Sequence, residues 1–304
     1  MEDRSHLTKK VNSYLIKERE RELTKAATEL IKSFVYLIIT PKMTFRCLPM
    51  WNNSTLKRRF SQFQVSDELQ GKFAKHDYER YQKEKLILVD EKNNEVGSAN
   101  IVECHLTEFI QKQRLAHRAF SVLLFDQEFK LLLQRRAHTK PIFPLYWANS
   151  CCSHPQKTIE GEDVAENALG AKRAGARRLM QELGLKVAVD KLQLQGMLHY
   201  EAYYDNTFSE CEMDYILAAQ LQAPAKDVPF DTKEVAECLW VSLEDFDECI
   251  ADLRQKGQGI SPWLVLFQEM GLKDWWNEFK QSGKITDRFQ GSPPKITDYR
   301  NRPN

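Results

Sequence analysis

The chain has 304 residues, 42% of them hydrophobic and 29% charged, enough apolar material for one sizeable core with appendages. The formal net charge is +1, so no global field recruits nucleic acid or an anionic membrane, and an anionic ligand has to be gripped locally. Seven cysteines, an odd count without a secretory leader ahead of them, predict reduced thiols in a reducing compartment; the longest strongly apolar run near the start, residues 34–39, is too short to span a bilayer.

Residues 1–42 mix basic and acidic residues with Leu, Ile and Val and predict a solvated helix. The stretch 43–66 carries Arg46, Lys57, Arg58 and Arg59 with Ser54 and Ser61 and has no acidic residue, a composition shared with organelle presequences. The chain is expected in the cytoplasm, with a mitochondrial form arising from an internal start at Met43. Residues 1–77 form an N-terminal extension in this reading, and a dense domain covers 78–282. Within it, 86–90 predicts a strand and 91–94 a polar turn. Segments 118–125 and 130–135 predict two strands joined across 126–129. Residues 165–183 predict a helix with Ala165, Leu169, Ala176, Leu179 and Leu183 near one face and Gly184 as its stop. Strands at 214–220 and 237–241 are followed by helices at 245–256 and 262–280, the second opened by Ser261 and Pro262. From 283 to 304 the tail is polar with Gly and Pro and is expected to fray. Strands mixed with helices in this order predict an α/β or α+β sandwich.

Three segments carry chemistry. Asn149-Ser-Cys-Cys-Ser-His154-Pro155 is a turn that holds thiols and an imidazole; alone it equally describes a structural cysteine pair near a surface histidine. Glu210-Cys-Glu212-Met-Asp214-Tyr215 enters a strand, where alternation puts Glu210 and Glu212 on one side. Two carboxylates that close repel unless a cation neutralises them, although a solvated acidic edge has the same pattern. His105 and His117 complete the set, His117 directly before a strand. Three imidazoles and two carboxylates make a hard, roughly octahedral donor set that suits Mg²⁺, Mn²⁺ or Zn²⁺.

Between residues 85 and 280 the chain resembles the type I isopentenyl diphosphate isomerase family. The matching pieces, in the family's order, are Cys104-His-Leu, His117-Arg-Ala-Phe-Ser-Val, the Asn149 to Pro155 run, Arg177-Arg-Leu-Met-Gln-Glu-Leu-Gly, Glu210-x-Glu212-x-Asp-Tyr and Ser261-Pro-Trp263. The resemblance implies a Nudix-like fold, a mixed β-sheet sandwiched between helices. It implies interconversion of isopentenyl and dimethylallyl diphosphate by protonation and deprotonation through a tertiary carbocation. Cys152 and Glu212 would be the acid–base pair, Tyr200 would assist Glu212, and the π face of Trp263 would stabilise the cation. A tight divalent ion would rest on His105, His117, His154, Glu210 and Glu212. Arg136, Lys140 and Arg178 would contact the diphosphate, with a second Mg²⁺ on Glu182. The implied partner is a small prenyl diphosphate, with no nucleic acid and no membrane span, and the chain is expected to act as a monomer.

A Nudix hydrolase box needs several glutamates around its Arg-Glu-x-x-Glu-Glu core; here the core reads Arg177-Arg178-Leu-Met-Gln181-Glu182 and keeps only Glu182. That argues against a pyrophosphohydrolase. The other alternative is a non-catalytic or altered-specificity prenyl-diphosphate binder, suggested by departures from the family pattern. Ile101 stands where a diphosphate-holding Lys is usual, Leu145 where a Gly follows Phe-Pro, and Ala148 where a Thr is usual; the segment between His105 and His117 is slightly long.

Overall fold

The computed structural model of the chain describes residues 75–222, 227–283 and 295–298; the helix expected in 1–42 and the basic stretch 43–66 lie outside them. In chain order the elements are α1 (Lys75–Lys83), β1 (Lys85–Val89), β2 (Glu95–Asn100), α2 (Ile101–His105), α3 (Thr107–Gln113), β3 (Ala116–Phe125), β4 (Leu131–Arg136), β5 (Trp147–Ala148) and β6 (Cys151–Ser153). Then come α4 (Leu169–Leu183), β7 (Gln193–Tyr203), β8 (Ser209–Gln220), β9 (Val235–Val241), α5 (Phe246–Gln255), α6 (Pro262–Glu269), α7 (Leu272–Ser282) and β10 (Lys295–Asp298).

Every residue of β3 is buried, as a strand covered on both faces requires. It runs parallel to β8 from His117↔Glu212 to Phe125↔Gln220, and its other edge meets β1, β6 and β4 in turn. The main path of the sheet is β10-β7-β8-β3-β1-β2. Alternation along β3 sends Phe120, Val122 and Leu124 to one apolar cluster with Ala171, Ala174, Leu179 and Leu183 of α4. Leu123 and Phe125 go to another with Phe246, Ile250, Trp263, Phe267, Trp276 and Phe279 of α5, α6 and α7. The sheet therefore lies between helices, as expected. In α7 the buried residues Leu272, Trp275, Trp276 and Phe279 follow helical spacing, and losing a fully buried ring such as Trp276 costs about 3–5 kcal/mol.

Several expectations need correction. The 126–129 turn forms, with Lys130 N–H donating to Asp126 Oδ1, but β3 and β4 pair only at Phe125↔Leu131. The earlier edge of β3 is taken by β6, and β4 pairs with β9 and β5 instead. His117 lies inside β3 rather than before it. The helix expected from 165 starts at Leu169, after left-handed Asn167 and Ala168, and Ala165 is exposed while Ala176 is half-buried. The helix expected over 262–280 is two helices, because Gly271 turns the chain at φ 97°. The strand β10 runs parallel to β7 in a segment expected to fray. Helix α2 was legible in principle: Asn100-Ile-Val-Glu103 is a capping box, and both of its reciprocal bonds are present.

Candidate active site

Four elements bring three imidazoles and a carboxylate together. The ring of His105 comes from α2, that of His117 from β3, that of His154 from the turn after β6, and Glu212 from β8. Ring centroids are 4.7, 4.8 and 5.1 Å apart in pairs. The Nε2 atoms of His154, His117 and His105 lie 2.8, 3.3 and 3.9 Å from Glu212 Oε1. His105 Nδ1 is 2.7 Å from the Ile101 carbonyl, which only accepts, so Nδ1 carries the hydrogen and Nε2 faces the carboxylate as a lone pair. Burial and the neighbouring His117 and His154 hold His105 well below its ordinary value; burial also lowers His154 against the pull of Glu212. The His105 lone pair aimed at an anion repels it unless a cation lies between them. One ligand atom from each of these four residues lies within 4.8 Å of all the others. Donor chemistry and spacing both fit a hard divalent ion.

Glu210, expected as a fifth ligand, is not in that group. The Tyr200 hydroxyl lies 2.7 Å from Glu210 Oε2 and 2.6 Å from Glu212 Oε2. One hydroxyl hydrogen serves one of these contacts, so the other needs a proton of its own. Burial first, and then the charge of Glu212, push Glu210 up to about 8, which places that proton on Glu210. For Glu212 burial opposes ionisation, but hydrogen bonds from His117 and His154 outweigh it and hold the carboxyl well below its usual range.

Cys152 comes from β6, where it pairs with Ser121 of β3. Its thiol donates to Asn149 Oδ1 at 2.9 Å and lies 3.4 Å from Ser121 Oγ, which donates to Asp214 Oδ2 at 2.8 Å. Burial, then the charge of Asp214, push the thiol well above its ordinary value. Asp214 is itself raised by burial and by Glu212. Cys152 is thus a protonated thiol. Cys151 is fully buried and belongs to the apolar cluster under α4.

Cys152, Tyr200, Glu210, Glu212 and Trp263 share the wall of one cleft. The Trp263 ring is buried, its indole N–H has no hydrogen-bond partner among the described residues, and the Arg136 guanidinium sits 5.5 Å from its centroid. The ring face therefore already accommodates a cation. Arg136, Lys140 and Arg178 line the same cleft, and Ile101 is also in its wall. Glu182, expected to face a diphosphate-bound Mg²⁺, is buried outside the cleft wall. Its Oε1 accepts from Arg178 Nε at 2.9 Å and Nη2 at 2.6 Å, and its Oε2 from Gln134 at 3.2 Å.

Sequence reasoning passed over three residues. Glu234, immediately before β9, and Arg80, from α1, reach the cleft from segments without a motif. Glu162 takes a two-pronged grip from Arg177, Nε to Oε1 at 2.6 Å and Nη2 to Oε2 at 2.9 Å, while Arg177 also donates to the His154 carbonyl at 3.4 Å. The Arg177 of the motif thus braces the turn that carries His154.

Residues 115–264 match the NUDIX domain family. The Arabidopsis thaliana protein named isopentenyl-diphosphate Delta-isomerase II, chloroplastic, is 40% identical over 203 residues, 65% of this chain and 70% of its own length. Isopentenyl-diphosphate Delta-isomerase I of Camptotheca acuminata is 40% identical over 203 residues, 65% of this chain and 85% of its own. A solved NUDIX hydrolase from Alicyclobacillus acidocaldarius aligns at 10% identity with a TM-score of 0.40, over 56% of this chain and 97% of its own.

Proposed function

The chain belongs to the isopentenyl-diphosphate Delta-isomerase family of NUDIX proteins, and from that premise we propose how its own residues move the double bond. It is an isomerase of isoprenoid biosynthesis that interconverts isopentenyl and dimethylallyl diphosphate. The observation that carries the assignment of residues is the shared cleft wall of Cys152, protonated, and Glu212, ionised.

An alkene is a very weak base, so its proton donor must be undissociated while the acceptor is already ionised. A proton added to the terminal carbon leaves a tertiary cation at the neighbouring carbon, and loss of a proton from the next carbon restores a double bond one position along. In one direction of this reversible step Cys152 gives and Glu212 takes; in the other the roles exchange. Tyr200, bonded to Glu212 and Glu210, positions the Glu212 oxygen and connects it to the proton on Glu210. Trp263 offers its π face to the cation, a contact worth about 2 kcal/mol when desolvated. Arg136, Lys140 and Arg178 hold the diphosphate, and that remote binding orients the alkene. His105, His117, His154 and Glu212 would hold a divalent cation, with Glu210 as a further ligand once it loses its proton; the bound ion supplies the positive charge that keeps adjacent carboxylates ionised.

The test is conversion of isopentenyl diphosphate with Mg²⁺ present. Cys152→Ala and Glu212→Gln are each expected to reduce turnover by about 10³-fold or more. Turnover near wild type in either variant removes that residue from the chemistry. A wild-type chain that binds substrate without converting it would be a non-catalytic binder.

We further propose that the tight ion is Mg²⁺, with Zn²⁺ or Mn²⁺ as alternatives, that a second Mg²⁺ accompanies the diphosphate near Glu182, and that the chain acts as a monomer. No helix among the described residues is long and apolar enough to cross a membrane. A cytoplasmic location, with a mitochondrial form started at Met43, is proposed from the acid-free stretch 43–66.

A further inference from the structure

The basic part of the cleft already contains an anion from the chain itself. Lys140 Nζ donates to Glu234 Oε2, Arg178 Nη2 donates to the same oxygen at 3.2 Å, and Arg80 Nη1 lies 3.6 Å from Oε1. Glu234 is 8% exposed. Burial favours its neutral form, but Lys140 and Arg178, helped by Arg80, outweigh burial and hold the carboxyl at about 2. Its backbone is pinned: the N–H donates to the Asp231 carbonyl at 2.9 Å, and the carbonyl accepts from Ala137 N–H at 3.0 Å. The side chain can therefore rotate away without moving β9. Arg136 differs from its neighbours, since it donates to the carbonyls of Phe143 at 3.0 Å and Ile142 at 2.8 Å.

An anionic ligand that reaches Lys140 and the Nη2 of Arg178 has to take them from Glu234, while Glu182 keeps its own grip on Arg178 through Nε. The carboxylate brings one negative charge and two oxygens. A diphosphate brings more of both and can replace every bond that it displaces, whereas a single phosphate or carboxylate gains little by the exchange. We propose that Glu234 is an internal competitor for the diphosphate subsite: its carboxylate occupies the cations Lys140, Arg178 and Arg80 until a diphosphate displaces it, and so it raises the affinity that any anion needs to fill the subsite, a threshold that a diphosphate clears and smaller anions do not. The proposal rests on the isomerase reading for the identity of the natural ligand. Its physical content, competition for three named cations, stands apart from the double-bond chemistry.

The experiment is calorimetric titration of the full chain in Mg²⁺ buffer with two probes, inorganic pyrophosphate and inorganic phosphate. Wild type, Glu234→Gln and Glu234→Asp are compared, each first shown to be folded by thermal melting. Glu234→Gln is expected to bind pyrophosphate and phosphate tighter, each by about tenfold, because both have to displace the same carboxylate. Glu234→Asp, which retracts the carboxylate by one methylene, is expected to move the same way by a smaller factor. It carries the test if Glu234→Gln does not fold. Unchanged or weaker pyrophosphate binding in the folded variants overturns the proposal and makes Glu234 a brace for the cations. Wild-type isomerase turnover is measured in parallel. Its absence defeats the isomerase reading alone, while turnover with unchanged binding in the variants defeats the competitor alone.

Discussion

Tyr200 has one hydroxyl hydrogen and two carboxylates within 2.7 Å, and that shortage explains why Glu210 and Glu212 behave differently. They sit two residues apart on one strand and look equivalent in the sequence, yet Glu212 joins the three imidazoles within 4.8 Å of one another and Glu210 is outside that group. Glu234 shows the same dependence on surroundings. Its folded value of about 2 lies below its ordinary 4.5. A depressed carboxyl contributes stability that is present above the unfolded value and is lost as pH falls through the folded one. The difference of about 2.5 units corresponds to about 3 kcal/mol at neutral pH. Wild type is therefore expected to exceed Glu234→Gln by about that amount near pH 7. The gap should fall below half of its neutral value by about pH 3. Urea melts across that range read it, and a gap independent of pH would contradict the assignment.

Among the elements, the loop between β4 and β5, which gives Lys140, Pro141 and Ile142 to the cleft wall, carries backbone strain. Phe143 and Leu145 both adopt left-handed backbone conformations, at φ 47° and 61°. A side chain there costs about 1–2 kcal/mol, and Leu145, 39% exposed, recovers little of it by burial. Leu145→Gly relieves the strain but gives the unfolded chain about 0.4–1 kcal/mol of extra entropy. The expected net gain is about 0.5–1 kcal/mol, read as a higher urea midpoint at unchanged slope; a lower midpoint would show that Leu145 makes contacts of greater worth. The long C-terminal helical region illustrates the converse, because Gly271 there ends one helix and starts the next, and the amphipathic face of α7 then reaches the core.

At the scale of the molecule, the candidate metal ligands tie together α2, β3, the turn after β6, and β8. Ion binding to such a set stabilises the folded chain, because the unfolded chain cannot assemble it. Removing divalent ions with a chelator is expected to lower the melting temperature by about 5 °C or more, and restoring Mg²⁺ should reverse the change. The combined His117→Ala and His154→Ala variant should show no such response. A melting temperature insensitive to chelation in wild type would mean that the four residues hold no ion.

The amino-acid sequence by itself determined which chemistry the chain can perform. A thiol, three imidazoles, paired glutamates and a tryptophan each sit in a short motif, and the loss of two Nudix glutamates is also a local fact. The strands β1, β3, β4, β8 and β9 and the helices α4 and α5 were legible for the same reason, since hydrophobic alternation and caps act over a few residues, whereas β2, β7 and the short elements between β1 and β3 were not read. Convergence was decided only in the tertiary structure. His117 meets Glu212, 95 positions away in the chain, because β3 and β8 pair in parallel register, and the competing pairings of β4, β6 and β9 set which edges were available. Glu234 and Arg80 carry no motif, and their place in the cleft follows from strand order and from the packing of α1. Such contacts depend on which distant segments share an edge or a pocket, a choice made by the free energy of the whole sheet rather than by any short stretch of sequence.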